Sequence, residues 1–344
     1  MTYLFLIVFI SNILILSKLK QIANYLNIFD KPDNRLKKHK SSVPLLGGII
    51  MVTNFLIIML ILLLTDFDFK IKDLEISNRN YFSIIFFLTS FFLLGLIDDK
   101  HKLKPEKKFF LSILFSILTL SMNSDLLITD LSLSFYKHVI FLNEFSFFFT
   151  VFCIIILINA LNFYDGINGQ SIIFFIIIFS FLAYRSPLLN FYLLIIIILI
   201  FLLFLNLKNY IFMGDNGIFF TSSILIVALI YEYTVLKTIK YADEILLLLI
   251  LPGYDLLRLS ITRIFRGKNA FYGDRNHIHH LLISKFSLLE TNIILILLIL
   301  VPNILHSVIN LNFFIALIAF TTIYILLILK LSTNDKKYYF RKKK

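Results

Sequence analysis

The sequence predicts an all-α integral membrane protein with about eleven membrane-spanning helices, and both composition and spacing support this. Of the 344 residues, 59% are hydrophobic and only 16% are charged, whereas a soluble domain is about 25% charged. The apolar residues form runs close to the ~20 residues that a helix needs to cross a bilayer. These observations exclude a soluble fold and a disordered chain. The single cysteine, Cys153, also excludes an intramolecular disulfide and a thiolate metal cluster.

The predicted spans follow one another without an internal repeat or a second domain, so we expect one domain over residues 1–344. We expect residues 1–17 to be retained as a helix, because they lack a basic leading segment and a small-residue cleavage site. Residues 125–142 are mixed in polarity, which favours a hairpin or a surface segment over a further span. The eleven spans are residues 1–17, 43–65, 81–97, 108–122, 145–162, 168–184, 188–205, 212–231, 242–259, 288–305 and 311–330.

The distribution of basic residues predicts how the chain is oriented in the membrane. Of the 33 Lys and Arg residues, 26 lie in the connections after odd-numbered spans, counting the C-terminal tail among them. Basic connections stay on the cytoplasmic side, so these connections and the tail 331–344 are expected there. The net charge of +12 therefore indicates membrane orientation and contact with anionic lipid, and nucleic acid is not an expected partner.

Two adjacent acids, Asp98 and Asp99, end the third span. A cap is the simplest interpretation, but an acid at a helix C-terminus opposes the helix dipole. Paired carboxylates at a membrane surface suit a divalent metal or a proton transfer. The pair is therefore a candidate functional site.

A second cluster follows the fifth span, where Asn162 and Asp165 lie on one helix face and precede a turn with Asn168 between two glycines. Oxygen donors on a tight glycine turn suit a hard cation or a phosphate. A third acid, Asp215, stands between glycines at the start of the eighth span. That position suits either a helix cap or a phosphate at a helix N-terminus.

Basic clusters lie on the same predicted side of the membrane. Lys38 and His39 fall in the first cytoplasmic loop, where topology alone also explains them. Three histidines within four residues suggest zinc, but neither a cysteine partner nor a His-Glu-x-x-His pattern accompanies them. Anion binding is the better interpretation of this last cluster, which consists of Arg275, His277, His279 and His280.

Taken in order, these motifs resemble the polyprenyl-phosphate N-acetylhexosamine-1-phosphate transferases of glycosyltransferase family 4, over about residues 28–285. The resemblance implies transfer of a sugar-1-phosphate from a UDP-sugar to undecaprenyl or another polyprenyl phosphate, with release of UMP. It implies a bacterial inner-membrane enzyme that starts a surface glycan such as O-antigen or teichoic acid. The spacing His277-x-His279-His280 resembles the branch that uses UDP-N-acetylglucosamine more than the phospho-MurNAc-pentapeptide transferases, which carry three consecutive histidines.

The resemblance also implies roles for single residues. Asp98 is expected to accept the proton of the lipid phosphate with support from Asp99, and Asp165 is expected to act both in catalysis and, with Asp215, in binding Mg²⁺ or alternatively Mn²⁺. Contacts to the nucleotide sugar or its phosphates are expected from Lys38, His39, Asn162, Asn168, Arg275, His277, His279 and His280. The oligomeric state stays open between a monomer and a homodimer.

Two departures from the family pattern and one rival class qualify this interpretation. Asn168 stands where many family members have Asp, and Gln170 stands where Leu is common. A transporter or flippase for an anionic substrate is the rival, and it should carry charges near the membrane mid-plane. The predicted spans are nearly free of charge in their interiors and the polar clusters share one side, which favours an enzyme with a cytoplasmic site.

Overall fold

The structure, a computed structural model, describes residues 2–30, 42–64, 77–267 and 276–341. Within these ranges the chain is predominantly helical, with two short antiparallel strand pairs. The helices are α1 (Thr2–Leu26), α2 (Gly47–Leu64), α3 (Asn78–His101), α4 (Pro105–Met122), α5 (Ser146–Tyr164), α6 (Gln170–Arg185), α7 (Leu189–Leu207), α8 (Gly214–Thr234), α9 (Ala242–Leu248), α10 (Ile250–Phe265), α11 (Ile278–Ile283), α12 (Leu288–Ser307) and α13 (Phe313–Arg341). The strands are β1 (Phe29–Asp30), β2 (Val43–Pro44), β3 (Asp130–Leu133) and β4 (Tyr136–Phe141).

The all-α membrane architecture is confirmed, because each predicted span falls on one helix or, for the ninth span, on two. Seven of the described helices are long and apolar enough to cross a membrane, or eight if α9 and α10 are counted as one bent span. Helix α6 and the apolar part of α2 are shorter. The predicted count of eleven spans is therefore not confirmed by length and composition.

The predicted ninth span, residues 242–259, is not one straight helix. Helices α9 and α10 meet at a bend of 77° beside Leu249. Pro252 lies in the first turn of α10, where a missing backbone N–H costs no hydrogen bond. The break therefore places proline where a helix tolerates it.

The mixed segment 125–142 forms the expected hairpin, made of β3 and β4. The backbone N–H of Ser134 at its tip donates to Asp243 at 2.9 Å, and the N–H of Ser132 donates to the Tyr233 hydroxyl at 2.8 Å. Because Tyr233 is in the last turn of α8, the hairpin is fixed to the end of the bundle at which α8 terminates.

Helix α8 is the centre of the bundle. It is buried along almost its whole length and packs against α2, α3, α5 and α6. Gly48 of α2 and Gly95 of α3 lie so close to its first turn that a Cβ at either position would collide with the backbone between Asp215 and Gly217. These glycines bring the two helices onto the segment that carries Asp215.

Hydrogen bonds between connections show that the polar motifs share the other end of the bundle. The N–H of Phe212, before α8, donates to the carbonyl of Pro44, before α2, at 2.9 Å. Asn168, before α6, donates through its amide to Asn209, after α7, at 2.8 Å. The start of α8 also contacts Asp99 at the end of α3. One end therefore gathers the motifs, as the sequence predicted, and the opposite end carries the hairpin.

Candidate active site

The first part of the site is an acid group made of Asp98, Lys108 and Asp215. Asp98 is buried in the last turns of α3, and its carboxylate accepts from the N–H of Leu103 and from Lys108 Nζ, both at 2.7 Å. Lys108 Nζ lies 3.4 Å from a carboxylate oxygen of Asp215 in the first turn of α8. One ammonium group therefore serves two carboxylates, an arrangement that a bound cation would complement.

Asp99 has a different role from its neighbour in the structure. Its carboxylate accepts from the backbone N–H of Asp215 at 3.0 Å and of Asn216 at 2.9 Å, and also from the Asn216 side-chain amide. A carboxylate is favoured at a helix N-terminus, where it accepts from free backbone N–H groups. Asp99 therefore caps α8 from outside and holds the turn that carries Asp215.

Asp165 directly follows α5 and is half-buried. The hydroxyl of Ser171, in the first turn of α6, donates to its carboxylate at 2.5 Å. Burial raises the pKa of the Asp165 carboxyl to about 6, and the Ser171 hydrogen bond opposes that rise. The group can therefore exchange a proton for a cation near neutral pH.

The second part of the site is a histidine group around His277 and His279. The two rings stack at 5.4 Å between centroids and 13° between planes, and His277 also stacks on Phe163 at 5.7 Å. His279 is buried, and a Cβ at Gly166 would collide with its ring. The glycine turn after Asp165 thus makes room for His279 beside the site.

The two stacked histidines have different hydrogen-bond partners. Gln170 Nε2 lies 3.2 Å from His279 Nδ1, and because an amide NH₂ donates, this ring nitrogen accepts. His277 Nδ1 lies 2.7 Å from a carboxylate oxygen of Asp255, which accepts, so this nitrogen carries a proton. Burial, with His280 and His277 nearby, lowers the pKa of His279 well below its usual range, so His279 is neutral at neutral pH.

The histidine group also includes a cluster that could hold a metal ion. The ligand atoms of Asp255, His277 and His279 lie within 4.8 Å of one another, and all three residues are buried. A cation there would compete with the hydrogen bonds that His277 already donates to Asp255 and that His279 accepts from Gln170. The carboxylates of the acid group are therefore the better cation ligands at this end of the bundle.

Residues 81–232 match the model of glycosyl transferase family 4. The chain is 27% identical over 290 residues to the undecaprenyl-phosphate alpha-N-acetylglucosaminyl 1-phosphate transferase of Escherichia coli O157:H7. The aligned region covers 80% of this chain and 74% of that protein. It is 26% identical over 294 residues to the probable undecaprenyl-phosphate N-acetylglucosaminyl 1-phosphate transferase of Bacillus subtilis (strain 168), with 81% and 76% covered. These matches confirm the resemblance to glycosyl transferase family 4 that the motifs predicted.

Residues 81–232, called here the family 4 segment, contain the whole acid group and Asp165. The histidine group is completed by α10, α11 and α13, which lie beyond residue 232. Asn162 lies one turn before Asp165, and its carbonyl accepts from the Asp165 N–H at 3.4 Å. His280 is half-buried against the His279 ring, at 4.3 Å between centroids. These positions bring both residues to the same end of the bundle as the acids.

Asn168 is used within the protein. Its side-chain amide donates to the carbonyl of Asn206 at 3.1 Å and to Asn209 Oδ1 at 2.8 Å, and its own carbonyl accepts from Asn292 at 3.0 Å. The left-handed backbone conformation of the turn belongs to Gly169, at φ +84°. Asn168 therefore ties the start of α6 to the connection between α7 and α8 and to α12.

Three of the residues predicted from the sequence lie outside the described residues. They are Lys38, His39 and Arg275.

Four residues of the site were missed by sequence reasoning, namely Lys108, Gln170, Asp255 and Tyr324. Two of them could have been found from the sequence. Lys108 lies in the first turn of α4, where a cation opposes the helix dipole, but we counted it only as a topology charge. Asp255 is an acid inside a predicted span, which is costly unless the group is used. Gln170 differs from the Leu that is common in the family, but its contact with His279 is visible only in the structure, as is the contact of Tyr324 with Asp255.

Proposed function

We propose that this chain transfers an N-acetylhexosamine-1-phosphate, or a related sugar-1-phosphate, from a UDP-sugar to undecaprenyl or another polyprenyl phosphate. An oxygen of the lipid phosphate attacks the β-phosphorus of the UDP-sugar, the bond from that phosphorus to UMP breaks, and a polyprenyl-diphospho-sugar forms. The observation that carries the proposal is the acid group, in which two carboxylates share one ammonium at the end of a membrane bundle. The names of the relatives support the substrate class.

Asp98 is the proposed proton acceptor for the lipid phosphate. It is held by Lys108 Nζ and by the Leu103 N–H, each at 2.7 Å, so its position is fixed before substrate binds. Lys108 is shared with Asp215, which places a cation beside both acids. We propose that this ammonium also offsets part of the charge of the incoming phosphates.

The donor set fits a hard divalent cation such as Mg²⁺, because carboxylate oxygens are its preferred protein ligands and two carboxylates of the acid group share one ammonium. We propose that Asp215 and Asp165 hold it. A bound Mg²⁺ polarises phosphoryl oxygens and neutralises the charge that develops on the leaving group. Asp99 supports this arrangement by capping the helix turn on which Asp215 stands.

The histidine group is the proposed contact surface for the nucleotide sugar, with Asn162 helping to hold it. His277 has its Nδ1 occupied by Asp255, which leaves its Nε2 for substrate. His279 is buried with its Nε2 against Gly166, so we propose that it supports the His277 ring by stacking. An imidazole nitrogen held in this way suits contact with a diphosphate or a sugar.

Release of UMP by the purified protein in detergent, from a panel of UDP-sugars with undecaprenyl phosphate and Mg²⁺, tests the proposal. We expect UMP release that requires both the lipid and the metal, and that is lost in excess EDTA and restored by Mg²⁺. Undiminished release in EDTA would remove the metal role. Transport of the UDP-sugar without product would support the transporter interpretation, and a preference for UDP-MurNAc-pentapeptide would place the chain in the other branch.

A matched pair of lysines sharpens this test. Lys107 and Lys108 are neighbours in the first turn of α4, but Lys107 is exposed whereas Lys108 contacts both acids. Lys108→Met is expected to lower the rate of UMP release at least about tenfold, since a charged hydrogen-bond partner is lost, and Lys107→Met is expected to leave it unchanged. Equal rates in the two variants would remove the acid group from the reaction.

We also propose that the chain forms a single domain in a bacterial inner membrane, with the site and the C-terminus in the cytoplasm. The distribution of Lys and Arg supports this orientation. A cysteine in place of Lys268, after Cys153→Ser, tests it in intact cells. An impermeant thiol reagent should label this cysteine only after the membrane is opened, and ready labelling of intact cells would reverse the orientation.

A further inference from the structure

The carboxylate of Asp255 accepts four hydrogen bonds from the protein itself. One oxygen accepts from Arg258 Nη2 at 2.7 Å, from the Tyr324 hydroxyl at 2.8 Å and from the Ile278 N–H at 3.2 Å. The other oxygen accepts from His277 Nδ1 at 2.7 Å. Three donors therefore hold the carboxylate in place through one oxygen, and the other oxygen acts on His277.

The hydrogen bond that His277 donates to Asp255 determines which way the His277 ring faces. The stacking contacts with Phe163 and His279 are made by the flat faces of the ring, and such contacts do not distinguish the two ring orientations that differ by a half-turn. Only the hydrogen bond to Asp255 requires Nδ1 to face the carboxylate. It also requires Nδ1 to carry a proton, because a carboxylate only accepts. His277 Nε2 is then the atom left for substrate.

Tyr324 holds Asp255 in place from the last helix. Its hydroxyl donates to Asp255 and accepts from Arg258 Nε at 2.9 Å, and Arg258 also donates to the carbonyl of Asn276 at 2.6 Å. The side chain of Tyr324 is buried. The Tyr324 hydroxyl thus positions Asp255 and Arg258, the two charged side chains that lie near His277, the residue directly before α11.

We infer that Tyr324, acting through Asp255, is a positioning residue for sugar-phosphate transfer, because it fixes His277 with Nδ1 protonated and Nε2 free for the UDP-sugar. The inference rests on the proposed function for its substrate. It extends the active site to α13, which lies beyond the family 4 segment at residues 81–232. Helix α13 then contributes to catalysis as well as to the membrane bundle.

The chain offers a matched control at the same helix contact. Tyr254 of α10 also packs on α13, where its hydroxyl bonds to Thr321 Oγ1 at 2.7 Å and its ring packs on Phe320 and on Tyr324. Tyr254→Phe and Tyr324→Phe each remove one hydroxyl from the contact between α10 and α13. Only the second removes a partner of Asp255.

Steady-state kinetics of UMP release with varied UDP-sugar is the first measurement. Tyr324→Phe is expected to lower kcat/KM for the UDP-sugar about tenfold, as losing an outer partner of a working histidine does, while Tyr254→Phe stays within about twofold. In a His277→Gln background, Tyr324→Phe should cause no further loss, because both changes act through one residue. Equal effects of the two Phe variants, or full additivity with His277→Gln, would overturn the inference.

Nitrogen-15 NMR of histidine-labelled protein, with the His277 signals assigned by their loss in His277→Gln, is the second measurement and needs no activity. His277 Nδ1 should be protonated in the unchanged protein and in Tyr254→Phe, and should populate both ring forms in Tyr324→Phe. An unprotonated Nδ1 in the unchanged protein would overturn the inference even if Tyr324→Phe failed to fold. If no UDP-sugar gave UMP, the proposed function would fail while the NMR result still decided the role of Tyr324.

Discussion

The acid group and the histidine group stand at the same end of the bundle, but they balance charge in opposite ways. In the acid group, Asp98 and Asp215 share the single ammonium of Lys108. In the histidine group, the single carboxylate of Asp255 receives a guanidinium, a phenol, a backbone N–H and an imidazole. The first group has one positive partner for two carboxylates, and the second has four donors for one carboxylate.

This contrast separates groups that bind ligands from groups that position them. A carboxylate with surplus charge gains from a cation and from the phosphates that the cation carries. A carboxylate that is held by four donors of the protein instead positions the group beside it. Asp99 belongs with Asp255 in this respect, since the structure commits its oxygens to the first turn of α8.

The largest expected effect comes from neutralising the carboxylates of the acid group and that of Asp165. Asp98→Asn, Asp165→Asn and Asp215→Asn should each lower kcat at least ~100-fold, since acid–base and metal groups typically contribute about that much. The rate of UMP release at saturating substrates checks this, with gel filtration as the control for folding. Near-normal turnover in any one variant would remove that residue from the site.

The pH dependence should follow the ionisation of Asp165, whose pKa burial raises to about 6. At limiting Mg²⁺ the rate should rise through that pH, because the carboxylate loses its proton before it binds the cation, and below it the rate should fall about tenfold per pH unit. More Mg²⁺ should move the midpoint to lower pH, since metal and proton compete. Rates of UMP release across the range, with recovery at neutral pH as the control, check this.

Ser171→Ala gives the opposite sign and so sharpens the assignment. The Ser171 hydroxyl donates to the Asp165 carboxylate and stabilises its ionised form. Its removal should raise the pKa of Asp165 further and shift the rate midpoint to higher pH. An unchanged midpoint would assign the titration to another group.

Most of the helices could be predicted from the sequence because a bilayer imposes length and polarity on a segment without reference to its neighbours. The hairpin at 125–142 could be predicted for the same reason, since its mixed polarity does not fit a span. The bend at Leu249 could not, because residues 242–259 are apolar enough to read as one segment. Pro252 was the available signal, and it marks the first turn of a new helix.

The candidate site could be predicted residue by residue but not as an arrangement. Local spacing identified Asp98, Asp165, Asp215 and the histidines, because their motifs are contiguous. It could not show that Asp99 caps a helix more than a hundred residues later in the chain, at the Asp215 N–H. It also could not show that Tyr324 reaches His277, since that path runs through Asp255 across two helix contacts.

A smaller effect, on stability, is expected from Asp99→Asn. The amide that replaces the carboxylate loses the charge that favours the N-terminus of α8 and keeps a single acceptor oxygen for the two backbone N–H groups. The free energy of unfolding should fall by about 1 kcal/mol, which thermal unfolding would detect as a melting temperature lower than that of the unchanged protein. A variant with an unchanged melting temperature that was as inactive as Asp98→Asn would make Asp99 a catalytic group after all.

The smallest expected effect concerns Asn168, where related enzymes often carry Asp. Its amide donates to the Asn206 carbonyl and to Asn209 Oδ1. Asn168→Asp removes both donors and sets a carboxylate against two oxygens, so it should lower stability more than Asn168→Ala, which only leaves the acceptors unbonded. We expect Asn168→Ala to change kcat less than about tenfold, for one or two lost hydrogen bonds. Its main effect should be a lower melting temperature. An Asn168→Asp variant of unchanged stability that needed less Mg²⁺ would show that this side chain turns toward the cation, and would place residue 168 with the acid group.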